Sequence, residues 1–293
     1  MICVTPEIAD GVTGIAQILQ NWTFIESASE KLIAHRNSGS LSNTEAKRGP
    51  LQAILETLYG IYAWLVFLVC VLIAIVMILL VPGLERRRRC AAAAARSIFA
   101  LTGVRTRVSG IASLPAGHCI VVANHASYVD GVILQAFLPP RFSYVIKGEM
   151  RNVPIAHFLL RRIGSRFVER FVASASSRDA RSLLQAASAG ESLVFFPEGT
   201  FLPVPGLDRF RPGAFAAAIK GTLPVVPVVI GGSRQLLPAR TLLPRPGRIS
   251  VDVLEPIAPD QPEFASSASL AEAARQRILS VLDEPDLLSS NAA

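Results

Sequence analysis

Hydrophobic and polar positions give the chain three textures. Residues 1–50 are mixed and polar, with helical stretches expected over Ile15–Gln20 and Ile25–Arg36 and a linker over Asn37–Asn43. Ile61–Val81 then runs without a charged residue, closed by Pro82-Gly83. At 1.5 Å per residue such a helix matches the roughly 30 Å hydrocarbon core of a bilayer. Tyr59, Tyr62 and Trp64 sit at one end, as an interfacial aromatic belt would, and Arg86–Arg89 follow the other. A buried helix of a soluble domain is the alternative, but such helices rarely run so long without a polar residue. Residues 85–102 are alanine-rich and predict a second helix with a basic start and apolar Ile98, Phe99 and Leu101. That helix could lie on a membrane surface or pack against the next domain.

From about Val104 short β-rich runs alternate with helical ones. Strands are expected at Cys119–Ala123, Phe142–Lys147, Ser165–Glu169, Ser192–Phe196, Val225–Ile230 and Ile249–Leu254. Helices are expected at Tyr128–Phe137, Val153–Ile163, Arg178–Ala189, Pro212–Lys220 and Leu270–Leu282. The pattern predicts an α/β fold: a mostly parallel sheet flanked by helices, preceded by an N-terminal transmembrane helix and a membrane-proximal helix. In such sheets ligands bind beyond the carboxyl ends of the strands.

Composition sharpens this picture. The 293 residues are 51% apolar and 17% charged, which excludes a disordered chain and argues against a wholly soluble one. The formal charge of +7 suits anionic partners: lipid headgroups, coenzyme phosphates or nucleic acid. Nucleic acid is set aside, because no recognition motif is present and the arginines cluster beside the apolar run. The four cysteines, Cys3, Cys70, Cys90 and Cys119, have neither zinc-site nor disulfide spacing and are expected to be small buried or lipid-facing side chains. No signal peptide is expected, since the first residues lack a basic region and the apolar run begins late. The arginines after the apolar run place its C-terminal side in the cytoplasm. A single crossing is favoured over a re-entrant hairpin broken at Pro82-Gly83.

Three clusters carry candidate chemistry. Asn124-His125-Ala126-Ser127-Tyr128-Val129-Asp130 follows an expected strand and opens a helix. A histidine acting as general base needs exposure to substrate and a fixed acceptor on its other ring nitrogen. Asp130 can be that acceptor only if the chain bends between them; a capping residue and a core histidine are the plainer reading. Phe196-Pro197-Glu198-Gly199-Thr200 also ends a strand and should share the rim, as a ligand-orienting turn with N–H groups for an oxyanion or as a simple turn. In Gly164–Arg170 a strand would put Arg166 and Arg170 on one face, for phosphate or merely for solvent.

Together these clusters resemble the lysophospholipid and glycerol-phosphate acyltransferase superfamily, and 1-acylglycerol-3-phosphate acyltransferases within it most of all. The N-H-x-x-x-x-D block matches Asn124, His125 and Asp130; G-x-x-F-x-x-R matches Gly164, Phe167 and Arg170. F-P-E-G-T-R matches Phe196 to Thr200 and departs at Phe201, where the family usually has arginine. An F-[KR]-x-G pattern matches Phe210, Arg211 and Gly213; an apolar run with a central proline matches Val225 to Val229 around Pro227; an interblock lysine matches Lys147. The likeness spans about residues 60–255.

The resemblance implies a membrane-bound O-acyltransferase that moves a fatty acyl group from a thioester to a lysophospholipid hydroxyl, with phosphatidic acid the first expected product. Its catalytic residues would be His125 and Asp130. Its substrate-binding residues would be Asn124, Lys147, Gly164, Phe167, Arg170, Glu198, Gly199, Thr200, Arg211 and Pro227. Phe201 opens the alternative of a lysophosphodiester or amino-acid lysolipid. The expected partners are the lysophospholipid acceptor, acyl-CoA or acyl carrier protein as donor, and the bilayer. No metal or cofactor is expected, the acyl thioester being a substrate. The implied organisation is a polar segment over 1–57, membrane helix and basic helix over 58–102, acyltransferase domain over 103–285 and a flexible tail over 286–293, at the inner membrane with the catalytic domain facing the cytoplasm. A serine hydrolase is disfavoured because Gly231-Gly232-Ser233 lacks the second glycine of a nucleophile elbow. A non-enzymatic lipid-binding protein would have no need of His125, Asp130 and Glu198 together.

Overall fold

The apolar run forms helix α1 (Pro50–Leu80) in the computed structural model, which describes residues 50–168 and 173–289, with side chains over 51–168 and 181–289. The helices expected over 15–20 and 25–36, the linker over 37–43, and Cys3, Glu169 and Arg170 lie outside the described residues. After a turn at Pro82-Gly83 the chain doubles back as α2 (Leu84–Leu101). The inner seam of α1 is made of Gly60, Ala63, Cys70, Ala74 and Ile78, at helical spacing. Its outer face keeps Leu65, Leu68, Leu72, Val76 and Leu79 exposed.

The aromatic end of α1 is bolted to the protein. Tyr59 donates to Thr102 O at 3.1 Å, Tyr62 to Leu101 O at 2.9 Å, and the Trp64 indole to Leu242 O at 2.6 Å. The expected interfacial belt thus spends its polar atoms on backbone carbonyls. Gly60 has no room for a side chain, since a Cβ there would meet Leu243 Cβ at 2.7 Å. At the other end Ala74 and Ile78 pack with Leu159, Leu160 and Ile163. The helix therefore touches the domain near both its ends.

Helix α2 buries one stripe, Arg88, Ala92, Ala95 and Phe99. Arg88 stands apart from the rest of this helix's basic start, because it is turned into the domain. It donates to Ile163 O at 2.8 Å, Arg141 O at 3.0 Å, Pro140 O at 3.3 Å and Ser143 Oγ. A guanidinium offers five donors in a fixed fork, so one side chain satisfies three carbonyls on two segments. Arg87 donates to Val81 O and Arg89 pairs with Glu85.

The residues after α2 carry one seven-stranded sheet: β1 (Arg105–Ser109), β2 (Ile120–Ala123), β3 (Ser143–Lys147), β4 (Arg166–Val168), β5 (Leu193–Phe195), β6 (Val225–Gly231) and β7 (Arg248–Val253). The order is β1-β7-β6-β2-β5-β3-β4. All pairings are parallel except β6 with β7, so β7 and β1 run against the rest. Strand β1 escaped the sequence reading because four of its five residues are exposed at the sheet's edge and show no apolar alternation. The helices are α3 (Asp130–Phe137), α4 (Pro154–Arg162), α5 (Ala173–Ser188), α6 (Gly213–Gly221), the short α7 (Ser233–Leu236) and α8 (Ser267–Leu279).

Two apolar layers sandwich the sheet. Phe99 of α2 and Ile133 and Leu134 of α3 pack with Val121, Val194, Val226 and Val251. Phe215, Ala217 and Ala218 of α6 and Leu270 and Ile278 of α8 pack with Ile120, Val122, Leu193 and Val225. β2 is buried on both sides, which explains its unbroken apolar sequence.

Of the tail expected to be flexible from residue 286, residues 286–289 are described and make contacts with the domain. Asp286 pairs with buried Arg275 and bridges Leu207, and Leu287 N donates to Leu207 O. The sequence shows only a polar, proline-containing end, and nothing in it announces a partner eighty residues upstream.

Candidate active site

The centre of the sheet ends in a rim where β2, β5 and β6 deliver their next residues. Asn124 leaves β2 and closes onto β6: its amide donates to Ile230 O at 3.0 Å and its carbonyl accepts from Ile230 N at 2.7 Å. With both polar ends committed and only 2% exposed, Asn124, expected among the substrate-binding residues, clamps β2 to β6.

The chain then bends as the His–Asp spacing requires. His125 Nδ1 lies 2.8 Å from Asp130 Oδ2, and the same oxygen accepts from Ala126 N at 2.7 Å and Ser127 N at 2.8 Å. A carboxylate that takes two adjacent N–H groups folds the corner around itself, so one residue both makes the bend and holds the ring. Ser127 Oγ fixes the far side by donating to Leu237 O at 2.7 Å. Asp130 is fully buried while the histidine side chain is 18% exposed. With Nδ1 turned to a carboxylate, Nδ1 carries the proton and Nε2 is the free lone pair.

Glu198 is the second tie. Its Oε1 accepts from His125 N at 2.7 Å and its Oε2 from Asp208 N at 3.1 Å. Glu198, expected among the substrate-binding residues, therefore joins the histidine loop to the loop after β5 through backbone N–H groups. Burial pushes its carboxyl up from the usual 4.5 to about 7, against the pull of the two N–H donors. A pKa raised by folding means stability that is complete below pH 4.5 and falls as pH rises through about 7. At ~1.4 kcal/mol per unit the expected loss is about 3 kcal/mol. Urea unfolding of wild type and Glu198→Gln at pH 5 and pH 8 checks this: the wild type should lose stability over that interval relative to the variant. Parallel pH curves would refute it.

Aromatic rings wall the imidazole. Phe196 stacks on it with centroids 4.3 Å apart, and Phe201 meets it edge-on at 4.9 Å. Tyr128 contacts Phe201 at 4.6 Å and interplanar 90°. The sequence reading quoted Phe196 and Tyr128 inside their blocks without giving them a role. Their positions on either side of the His–Asp corner were the available signal.

The remaining expected residues divide. Thr200 and Arg211 are exposed on the loop beyond Gly199, close in sequence to the rim. Gly199 donates its N–H to Phe196 O at 3.0 Å, so that group is spent inside the turn instead of waiting for an oxyanion. Lys147 ends β3 opposite Val168 and is half-buried. Phe167 packs with His157 at 5.1 Å, and Arg151 lies over its ring at 5.8 Å. Arg170 lies outside the described residues, and Arg166 is held by both oxygens of Glu191. Gly164 is a packing glycine: φ is +78°, and a Cβ would meet Arg88 Nη2 at 2.8 Å. Pro227 is buried mid-strand opposite Val122, below the rim, with its carbonyl accepting from Leu254 N.

Residues 105–231 match the family described as Acyltransferase, an interval that begins at β1 and ends with β6. A lyso-ornithine lipid O-acyltransferase of Pseudomonas aeruginosa is 30% identical over 188 residues, 56% of this chain and 69% of that protein. A 1-acyl-sn-glycerol-3-phosphate acyltransferase of Chlamydomonas reinhardtii is 26% identical over 90% of this chain and 81% of its own length. Another from P. aeruginosa is 28% identical over 52% of this chain, which spans 58% of that relative. The crystal structure of the 1-acyl-sn-glycerophosphate acyltransferase PlsC from Thermotoga maritima shares the fold, with TM-score 0.66 and 23% identity over 77% of this chain and 94% of that one. The His–Asp corner on the rim of a PlsC-like sheet and these relatives agree: the chain is an acyltransferase of the lysophospholipid and glycerol-phosphate acyltransferase superfamily.

Proposed function

We propose that the protein transfers a fatty acyl group from an acyl thioester, acyl-CoA or acyl carrier protein, to the free hydroxyl of a lysophospholipid, with 1-acylglycerol-3-phosphate the first acceptor. The observation that carries this is the His125–Asp130 pair at 2.8 Å with Nε2 left for the substrate. Nε2 takes the proton as the acceptor oxygen attacks the thioester carbonyl; the C–S bond then breaks and the proton passes to the departing thiolate. No serine nucleophile is required. Asp130 balances the imidazolium, and Phe196 and Phe201 keep water from the ring. Incubation with acyl-CoA and lysophosphatidate, with products read by mass spectrometry, tests the proposal; no diacyl product from acyl-CoA or acyl carrier protein would refute it.

Phe201 favours a second acceptor, an amino-acid lysolipid. The position usually held by an arginine carries a ring packed on His125 and Tyr128, which offers a phosphomonoester no charge. The P. aeruginosa relative at 30% identity is named for such a lipid. Phe201→Arg is expected to raise kcat/KM for lysophosphatidate about tenfold, the worth of one charge-assisted hydrogen bond, and to lower it for lyso-ornithine lipid. Unchanged preference would remove Phe201 from acceptor choice.

The apolar outer face of α1 fits a bilayer, where lysolipid and product reside. Contacts near both ends of α1 support the re-entrant arrangement over the single crossing favoured from sequence, since a crossing helix would leave the domain at one end. In this reading α1 and α2 lodge in the cytoplasmic leaflet of the inner membrane. Arg86, Arg87 and Arg89 then keep the catalytic domain on the cytoplasmic side.

A further inference from the structure

Behind the loop that carries Phe201, two arginines gather the end of the chain. Arg234, on α7, forms a fork onto Glu284, Nε to Oε1 at 2.9 Å and Nη2 to Oε2 at 3.0 Å. The same guanidinium donates to Leu202 O at 2.6 Å, and the same carboxylate accepts from Gly206 N at 2.7 Å. One ion pair therefore closes the turn Leu202–Gly206 at both ends and presents Pro203, Val204 and Pro205, all exposed, at its tip. Arg275, 2% exposed on α8, pairs with Asp286 and donates to Leu207 O at 3.1 Å and Asp208 O at 3.0 Å. Leu207 is also held between Pro285 O and Leu287 N. Asp208 N is the donor to Glu198, whose other oxygen holds His125 N. An unbroken series of contacts thus runs from Asp286 through Arg275, Asp208 and Glu198 to the backbone of the proposed base.

We propose that the segment Glu284–Leu287 is a positioning strap for acceptor binding: with Arg234 and Arg275 it fixes the Phe201–Asp208 loop over His125 and shapes the entrance through which the lysolipid hydroxyl reaches Nε2. The proposal rests on the acyl-transfer reading of the site. Buried guanidiniums cost desolvation, and a loop needed only as a connection could end in apolar packing. The tip Pro203–Pro205 is exposed while the two ends of the loop are tied down, and an entrance must be held to a fraction of an ångström to place a reacting hydroxyl.

The test uses the full-length protein in detergent with Glu284→Gln, Asp286→Asn and the double swap Arg234→Glu with Glu284→Arg. Glu284→Gln should raise the acceptor KM by about fivefold or more and leave the donor KM within about twofold, because the strap acts on one substrate. Hydrogen exchange at the Gly206 and Leu207 amides should speed up in the same variant, a readout independent of any substrate. The swap restores the ion pair but leaves Leu202 O without its guanidinium and Gly206 N without its carboxylate. The restored ion pair should return part of the thermal stability, while the acceptor KM should not recover because both backbone ends of the loop stay unheld. Equal changes in both KM values, or recovery of acceptor KM in the swap, would reduce the strap to a structural ion pair and overturn the proposal. If wild type acylates no lysolipid, the acyl-transfer reading falls and takes this proposal with it; if wild type is active and Glu284→Gln matches it in acceptor KM, only the strap falls.

Discussion

Alanine at position 125 is expected to lower kcat by roughly 10³–10⁴-fold with the fold intact, the range for losing a positioned general base with its orienting partner. The geometry leaves the reaction no substitute. Among the described residues the other histidines stand elsewhere: His118 beside Gly190 and His157 against Phe167. Asp130→Asn should be nearly as harmful for a different reason. All three contacts converge on one oxygen, so an asparagine that keeps the corner keeps its carbonyl on Nδ1 as well, and what is lost is the negative charge that balances the imidazolium formed during transfer. Because the two residues act as one unit, the double variant should be little worse than either alone. Initial rates at matched folded protein decide the matter; retention of more than about a tenth of wild-type kcat in His125→Ala would exclude general-base catalysis by this ring.

The second large effect is on stability. Arg88→Ala is expected to cost about 3 kcal/mol or more, because Ile163, Pro140 and Arg141 each lose a donor at a buried junction at about 1–3 kcal/mol per unsatisfied group. For a domain of this size that is a fall of roughly 6–12 °C in Tm. Arg88→Lys should recover only part, since an ammonium cannot span the same carbonyls. The neighbouring Arg89→Ala should shift Tm little, its pair with Glu85 being an exposed one within a single helical turn. Thermal unfolding of the three variants in one detergent checks the ranking; equal Tm values for Arg88→Ala and Arg89→Ala would mean that the buried fork holds nothing.

That contrast also marks how far the sequence can be read. Periodicity reported the strands that are buried on both faces, because burial leaves an apolar run, and it missed β1, whose exposure erases the pattern. Arg86–Arg89 read as one patch because four identical letters carry no helical phase; the phase comes from Ala92, Ala95 and Phe99, which turn Arg88 inward. His125 and Asp130 were legible as chemistry because their spacing demands a bend that the strand end supplies. Asn124 and Gly164, in equally recognisable blocks, serve the scaffold: a motif marks residues that a fold cannot vary, and does not say whether substrate or backbone is the reason. Glu198 and the strap were illegible because their partners are backbone atoms, which every residue possesses.

The pairing of β1 with β7 alone sets a condition on synthesis. Among the described strands the first to leave the ribosome waits for the last, and Leu207 cannot meet Asp286 until later still in synthesis. A chain halted at residue 247 leaves β1 unpaired and β6 as an open edge, and one halted at 283 lacks Glu284 and Asp286, which pair with Arg234 and Arg275. A prematurely released chain would thus carry the His–Asp corner in an unfinished frame, so cellular quality control would see truncation as open β-structure and unpaired buried charge.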